Sequence, residues 1–390
     1  MAANSLEYAK IFMQALDKVM LQMLTSAPME LNSNLIKYNG GNEVKISSIA
    51  MQGLADYDRA TGFTSGSVST TFQTHTLSQD RGREFSLDAM DVDETNFVAT
   101  AGNVMGEFQR TKVVPEIDAY RYSTIFGYAN TALKTARYTP DDATIFDQLD
   151  SDIANLQNVV GEDSDMTIYM SYEASHKLNL ADKLIKRLDV GTFADGSINT
   201  KIKVLDGIPI VRVPSARFKS AFTFGSDGYT APDTAMGINW IIAVNRSLIA
   251  VNKQEKLRVF TPDVNQDADA WKMQYRRYHD LFVTDNGVAG IYVSYTAIEA
   301  PALTATVAAG TSAGTKFTAT ASDGTTLGYI LGTVSPEVKF NDIYSGDVYT
   351  SGADIDDAVA TNILTMLEVD ATGHITKVKE VTLEAADIFA

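Results

Sequence analysis

The sequence predicts an α+β body followed by a small, mainly β domain. Segments with helical spacing of apolar residues alternate with strand-like segments, without a regular βαβ repeat. The pattern changes at Pro301, after which short strand-like runs alternate with Gly, Ser and Asp turns. Residues 301–390 also hold twelve acidic residues and four lysines, so 4 − 12 = −8 of the total charge of −17, and no arginine follows Arg277. These observations predict a domain boundary between residues 300 and 301.

Composition and charge exclude several classes of protein. The chain of 390 residues has a net charge of −17, whereas free binding to nucleic acid needs a basic surface. It has no cysteine, which excludes disulfides and thiolate chemistry and suits synthesis in a reducing cytoplasm. No apolar run is long enough to span a bilayer, and charged residues interrupt the N-terminal region where a secretory signal would lie. We therefore expect no membrane partner.

The N-terminal part predicts an amphipathic helix and then a long hairpin. Leu6 to Leu24 has apolar residues, several of them methionines, at near-helical spacing. This helix either packs on its own domain or docks as an arm on a neighbouring subunit. Gly40 to Gln79 contains two strand-like runs, VKISSIA and SVSTTFQTHTL, joined by the polar segment DYDRATGFTSG. Because a two-stranded hairpin is only marginally stable alone, we expect another surface to support it.

Three helices are predicted in the middle of the chain. The first follows Thr95 and is kinked or restarted at Pro115, which cannot donate a backbone hydrogen bond. The second begins with Thr139 as N-cap and Pro140 at the first helical position. The third follows the strand MTIYM and has Ser171 as its cap.

Three glycine-containing turns predict strand–turn–strand elements. Asp206-Gly207 lies between KVL and IPIVRV, and Asp285-Asn286-Gly287 lies between the last two strands of the body. Thr372-Gly373 lies within VDATGHITKV of the C-terminal part. We expect that part to form a sandwich-like or barrel-like domain, with an immunoglobulin-like fold as one form.

The stretch EFSLDAMDVDETN, Glu84 to Asn96, raises the question of a carboxylate site. Its five acidic residues are Glu84, Asp88, Asp91, Asp93 and Glu94. A calcium loop starting at Asp91 requires Gly in sixth place and Glu in twelfth, where this chain has Asn96 and Gly102. The same test fails from Asp88. The sequence therefore contains no EF-hand motif here.

The same stretch has the pattern of a strand that gives way to a helix. Asp91 or Asp93 can cap that helix, and Glu94 falls in its first turn. Carboxylates at these positions accept hydrogen bonds from free N–H groups and oppose the helix dipole, each contributing about 0.3–1 kcal/mol. This structural interpretation is favoured over general acid–base chemistry, which needs a concave, water-poor pocket.

No other pattern predicts a catalytic residue, a cofactor or a metal. The four histidines, His75, His176, His279 and His374, are far apart, and there is no P-loop, nucleophile elbow or dinucleotide-binding glycine motif. Two arginine clusters remain, QDRGRE and YRRYHD. They form either local salt bridges or contacts between subunits, where arginine is favoured.

Four segments in succession resemble the major capsid proteins of tailed bacteriophages of the Hong Kong 97 type. They are RGREFSLDAMDVDETNF, VVPEIDAYRYS, VLDGIPIVRVP and FTPDVNQDADAWKMQYRRYHDLFV. The resemblance extends from about Ser5 to Ala300 and includes the arm and the hairpin. It implies a structural protein without catalytic activity, and it does not identify the covalent Lys–Asn cross-link trio of some members.

The resemblance assigns a role to each segment. It implies an N-terminal arm at 1–34, an E-loop hairpin at 35–83, a peripheral domain with a spine helix at 84–164, an axial domain at 165–258, return strands to the peripheral domain at 259–300, and a β-rich surface domain at 301–390. Contacts between subunits are expected at the basic and acidic residues of the quoted segments. These are Arg81, Arg83, Glu84, Asp91, Asp93, Glu94, Glu116, Arg276 and Arg277.

The family also implies the partners and the location. We expect hexamers and pentamers in a closed shell, a separate scaffolding protein, a portal and packaged DNA without sequence-specific contact. A decoration protein is a further candidate partner. The shell would be assembled in the cytoplasm of a bacterial host and become the virion capsid. The alternatives are an encapsulin-type nanocompartment, an adhesive or carbohydrate-binding β-domain protein, and a hydrolase that uses the acidic stretch.

Overall fold

The computed structural model describes residues 24–30, 36–38, 43–57, 59, 62–90, 101–161, 164–181, 188–195 and 198–389. The four α-helices in these residues are α1 (Ala101–Phe108), α2 (Val114–Thr131), α3 (Ile145–Val160) and α4 (Tyr172–Leu180). The strands of the body are β1 (Ile36–Tyr38), β2 (Glu43–Met51), β3 (Val68–Thr76), β4 (Gln79–Asp88), β5 (Thr135–Arg137), β6 (Met166–Ser171), β7 (Leu188–Asp195), β8 (Ile198–Leu205), β9 (Ile208–Val213), β10 (Thr223–Gly225), β11 (Gly228–Thr230), β12 (Gly237–Val244), β13 (Leu248–Phe260), β14 (Ala270–Val283) and β15 (Ile291–Thr296). The C-terminal strands are β16 (Ala305–Ala309), β17 (Thr315–Ala319), β18 (Thr325–Gly332), β19 (Ile363–Asp370) and β20 (Ile375–Thr382). The predicted α+β class with a β-rich C-terminal region is confirmed.

A seven-stranded mixed sheet forms the centre of the body, in the order β5-β15-β12-β6-β9-β8-β7. Strand β12 is buried along most of its length because helices cover both faces of the sheet. On one face α2 packs through Tyr122 and Phe126. On the other face α3 and α4 surround Trp240, whose indole N–H donates to the buried carboxylate of Asp152 at 3.0 Å.

A second, three-stranded sheet has the order β13-β14-β4. Its inner face packs against α1 and α2 through apolar side chains that include Met105, Ile117 and Met273. Helices α1 and α2 are joined without a break by a π-helical segment, Gln109–Val113, and Pro115 lies in the first turn of α2. The predicted restart at Pro115 corresponds to the change from π-helical to α-helical bonding at Val114, and residues 101–131 form one continuous long helix.

Strands β2 and β3 form the predicted hairpin, with antiparallel register from Glu43–Thr76 to Met51–Val68. Its base is anchored, because Val44, Ile46 and Leu77 pack against the start of β13 and the end of β14. Beyond this base the described side chains of β3 are mostly exposed. The hairpin therefore projects from the body with little apolar cover from its own chain.

The C-terminal region has its own core. Phe317 and Tyr349 stack with ring centroids 4.0 Å apart, and apolar side chains of both its sheets surround them. The sheets are β16-β17 and β18-β19-β20. Five strands in two sheets do not make the seven-stranded immunoglobulin arrangement, so that expectation is not met.

The C-terminal region is attached to the body through one short loop. Asn341 exchanges side-chain hydrogen bonds with Asn130 at the end of the long helix, at 2.9 and 3.1 Å. Arg137 pairs with Asp342 at 2.8 Å, and Phe340 packs against the core of the body. The domain is therefore docked by specific contacts as well as tethered by the chain.

Two local predictions are wrong. The helix predicted from Thr139 begins at Ile145, because Asp141 accepts a hydrogen bond from the N–H of Ala143 and holds the preceding residues in a turn. Strands β14 and β15, which flank Asp285-Asn286-Gly287, do not pair as a hairpin. A 3-10 helix, Gly287–Gly290, follows the turn and directs the chain into the seven-stranded sheet instead.

Other local predictions are confirmed. Ser171 caps α4 by accepting a hydrogen bond from the N–H of Ala174 at 3.1 Å. Asp206 and Gly207 both have positive φ between β8 and β9, as a tight hairpin turn requires, and Gly373 does so between β19 and β20. The predicted arm helix, Leu6 to Leu24, lies almost wholly outside the described residues.

Candidate assembly surface

The hairpin tip, residues 51–68, carries the most prominent apolar surface of the described chain. Leu54 is fully exposed, Phe63 is 90% exposed and Met51 is 73% exposed. Tyr57 and Phe63 meet edge to face at 4.9 Å, which groups the aromatic rings on one element. Several exposed apolar side chains on one projecting element are typical of an interaction surface.

A groove lies between the long helix, strand β4 and the turn Gly225–Gly228. Its volume is about 910 Å³. Phe85, Val104 and Phe108 form an apolar floor, while Glu107 and Lys112 add charge at its wall. A groove with an apolar floor and a charged wall suits an apolar or amphipathic segment of a partner.

Arg81 and Arg83 line this groove and also make contacts within the chain. The Nε of Arg81 donates to Glu116 of the long helix at 2.6 Å, and its second nitrogen donates to the carbonyl of Gly228 at 3.2 Å. Arg83 donates to the carbonyl of Ser226 at 2.8 Å and lies 3.6 Å from the exposed carboxylate of Asp227. Three residues predicted to contact other subunits, Arg81, Arg83 and Glu116, therefore also hold this chain together.

Glu84 and Arg276 face the opposite side of the same sheet. Glu84 accepts from Gln274 at 2.6 Å and lies 3.4 Å from the ammonium of Lys272. Arg276 forms a two-pronged ion pair with Asp80, with one N–O distance of 2.8 Å. Since Arg276 is more than half exposed, solvent screens this pair strongly.

Arg277 is buried, in contrast to its neighbour. Only 2% of its side chain is exposed, and it pairs with Glu30 at 3.1 Å and Glu255 at 3.2 Å. Glu30 also pairs with Arg121, whose side chain is completely buried. These contacts join the segment 24–30 to the long helix and to β14, so the role of Arg277 in this chain is internal.

Asp118 is the most heavily hydrogen-bonded of these buried charges. It is fully buried in the long helix and accepts from Thr25 and Ser26, each through its backbone N–H and its hydroxyl. Arg217 completes the set at 2.8 Å. No sequence pattern singled out Asp118, Arg121, Glu30 and Arg217. A signal was available in the sequence: helical spacing places Asp118 and Arg121 on the same face of the long helix as its buried apolar residues.

The acidic stretch is only partly described. Asp88 ends β4 and accepts from the N–H of Met90 at 2.9 Å, where the chain becomes helical at residues 89–90, as the predicted change from strand to helix requires. Asp91, Asp93 and Glu94 lie outside the described residues. Within the part of the chain that the structure describes, no group of three or more His, Asp or Glu side chains is placed to hold a metal ion. Nor does any described helix meet the length and hydropathy needed to cross a membrane.

His279 lies under the long helix next to the buried charges. Burial lowers its pKa well below the ordinary 6.5, and the charges of Arg277, Arg121 and Arg81 lower it further. Its ring meets Tyr120 edge to face at 5.6 Å. The imidazole is therefore neutral at physiological pH and serves as a packed strand side chain, as the sequence pattern indicated.

One family of known sequence matches part of the chain. Residues 308–386 match the family of the S-layer protein SbsC C-terminal domain. A crystal structure of SbsC domains 7, 8 and 9 is 26% identical, covers 28% of this chain and 37% of its own, and has a TM-score of 0.22. A search of curated proteins finds no match.

Several solved structures are similar to about two thirds of the chain. The bacteriophage PhiM1 mature capsid is 12% identical, covers 66% of this chain and 83% of its own, and has a TM-score of 0.47. A structure of Gordonia phage Cozz is 15% identical, with 66% and 82% coverage and a TM-score of 0.45. A virus-like particle from Pyrococcus furiosus is 11% identical, with 69% and 96% coverage and a TM-score of 0.38. All of these TM-scores lie below 0.5.

Proposed function

We propose that this chain is the major capsid protein of a tailed bacteriophage of the Hong Kong 97 type, and that it assembles into a closed shell through its projecting hairpin. The observation that carries the proposal is the hairpin tip. Its exposed apolar side chains contact little of their own chain, although exposing such surface to water costs about 25 cal/mol per Å². A neighbouring subunit is the partner that would always be present to cover it.

The groove beside the long helix is the receiving surface in this proposal. The hairpin tip of one subunit and the groove of the next are different patches, so the contact is heterologous and repeats around a ring when the rotation closes. Hexamers and pentamers are such rings. The order of the four quoted sequence segments supports the same assignment independently of the hairpin.

The remaining roles follow from this assignment. Residues 35–83 form the E-loop, 84–164 and 259–300 the peripheral domain, 165–258 the axial domain, and 301–390 a surface domain, with 1–34 as the arm. Scaffolding protein, portal, packaged DNA and a decoration protein are the expected partners, and the virion capsid is the location. The shell role needs no catalytic residue. The assembly contacts carried into the proposal are Asp91, Asp93, Glu94 and the exposed Arg276, whereas Arg277 is not included because it is buried.

An adhesive β-domain protein is the alternative from another class. Sugar-binding sites commonly use exposed aromatic platforms. Among the described residues 301–389, the only aromatic side chain that is strongly exposed is that of Phe389. The encapsulin-type nanocompartment shares the shell role, and the neighbouring genes would distinguish it from a capsid.

The hairpin tip provides the test. Wild type, coexpressed with its scaffolding protein, should give closed particles in electron microscopy. Leu54→Asp with Phe63→Asp should abolish them, because the carboxylates would be buried in the interface. Val334→Asp, at an apolar position in the C-terminal domain that is 76% exposed, is the control and should assemble normally.

Both tip positions are exposed in the single chain, so the double variant should keep the melting temperature of the unassembled protein. A wild-type protein that stays monomeric or dimeric would refute the shell role. A double variant that assembles as well as wild type would refute the role of the hairpin.

A further inference from the structure

Residues 214–236 leave the seven-stranded sheet and contact the other parts of the body. The chain departs after β9, forms the small hairpin β10–β11, and returns at β12. We name residues 214–236 the brace segment. It is anchored near its return, where Ser220 and Met236 exchange hydrogen bonds of 2.9 Å.

The brace segment contacts the long helix at two points. Arg217 forms its ion pair with the fully buried Asp118. Further along, Phe224 meets the ring of Tyr120 edge to face at 5.5 Å. The seven-stranded sheet is thereby connected to the long helix through contacts outside the sheet itself.

The brace segment also contacts the strand that supports the hairpin. Arg81 and Arg83 of β4 donate to the backbone carbonyls of Gly228 and Ser226. Arg81 at the same time holds Glu116, so one guanidinium joins β4, the long helix and the brace segment. Because the acceptors are backbone carbonyls, these bonds restrain the backbone of the brace segment.

Strand β4 has little freedom to adjust between these contacts. A side chain at Gly82 would place its Cβ 2.8 Å from the carbonyl oxygen of Tyr275, so β4 lies close against β14. The register runs without a shift from Gln79–His279 to Asp88–Ala270. The hairpin continues directly into β4. The two sheets share an apolar core that includes Ile241, Leu248 and Leu281, and the bonds of Arg81 and Arg83 add a second, polar restraint on the angle between the sheets.

We propose that Arg81 and Arg83 determine the curvature of the assembled shell by fixing the angle between the hairpin-bearing sheet and the seven-stranded sheet. This inference rests on the proposed shell function. In a shell of identical subunits, a small rotation within each subunit is repeated at every contact, and the repeated rotation determines the diameter at which the shell closes. The two arginines are positioning residues for assembly.

The test compares particle sizes among arginine variants. Arg83→Ala and the double variant Arg81→Ala with Arg83→Ala are coexpressed with scaffolding protein, and particle diameters are measured by electron microscopy. We expect particles with a shifted mean diameter, a second size class or open sheets, and a larger effect in the double variant. Arg258→Ala is the control, since it removes an exposed arginine from β13 of the same sheet. It should give the diameter of wild type.

Hydrogen exchange of residues 223–230 in the unassembled protein completes the test. Faster exchange in both variants is expected. Particles of wild-type diameter despite faster exchange would overturn the inference, and so would unchanged exchange, because the arginines would then not hold the brace segment.

If the double variant aggregates, the single variant Arg83→Ala still tests the inference. Its side chain is about half exposed, so its removal should leave the chain able to fold. Absence of particles in wild type would refute the shell function itself and is thus distinct from a failure of this inference.

Discussion

Replacement of Asp118 by asparagine tests whether the buried charges beneath the long helix hold the N-terminal segment in place. The carboxylate accepts four hydrogen bonds from Thr25 and Ser26, between 2.7 and 3.2 Å, and one ion pair from Arg217. Asparagine preserves the shape of the side chain. It replaces one acceptor oxygen by an NH₂ donor and removes the negative charge opposite Arg217.

The expected loss of stability is large for a replacement that keeps the shape of the side chain. Removing one partner of a buried ion pair costs about 3–5 kcal/mol, because the remaining charge is left uncompensated. At least one donor would also face another donor, and a buried polar group without a partner costs about 1–3 kcal/mol. Since these effects overlap, we expect about 3–5 kcal/mol, a major share of the roughly 5–15 kcal/mol that stabilises a typical domain.

Urea unfolding of the unassembled protein, followed by tryptophan fluorescence, measures this loss. Both tryptophans, Trp240 and Trp271, lie in the body, so the signal does not report on the C-terminal domain. Asp80→Asn is the control, because its pair with Arg276 is exposed and contributes at most about 1 kcal/mol. An unfolding free energy of Asp118→Asn within about 1 kcal/mol of wild type would refute the assigned role.

Three further predictions concern acid, packing and domain independence. Stability should fall as the pH drops below 6.5, since burial lowers the pKa of His279 and the unfolded chain therefore takes up the proton first. Below pH 4.5 a second loss follows from Glu30: burial raises the pKa of this carboxyl, but Arg121 and Arg277 lower it by more. The urea midpoint measured as a function of pH reports both losses. Gly328→Ala should destabilise the C-terminal domain by about 1–3 kcal/mol, because its Cβ would lie 2.5 Å from a tyrosine ring, and calorimetry of the full chain measures the effect. Deletion from Pro301 onward should leave particles that assemble, as seen by electron microscopy.

Each of these predictions has a control or a contrary outcome. His279→Gln removes the titrating imidazole and should flatten the upper acid loss; an unchanged pH profile would contradict the argument. Gly332→Ala meets its nearest neighbour only at 3.6 Å and should be nearly neutral in the same domain. Insoluble core protein after the deletion would show that the loop contacts of Asn341 and Phe340 are required for the body to fold.

Local sequence patterns predicted the elements that depend on neighbouring residues. The hairpin followed from alternation and a polar turn, the restart of α-helical bonding near Pro115 from its missing N–H, and the cap at Ser171 from its hydroxyl. Thr139 failed as a cap because an aspartate turn two residues later competed for the backbone. The hairpin at Asp285 failed because the chain changes sheets, and pairing between sheets is decided by tertiary packing.

Periodicity, turn residues and composition act over short ranges of the chain, so they suffice to predict an α+β body, a projecting hairpin and an acidic β-rich C-terminal region. The contacts of each charge depend on how distant segments pack. Arg276 and Arg277 are adjacent in sequence, yet side chains alternate across a strand, so one is exposed and the other is buried among carboxylates. For the same reason Arg81 and Arg83 share the face that meets the long helix and the brace segment. Their partners come from parts of the chain 35 to 147 residues away, and only folding brings them together.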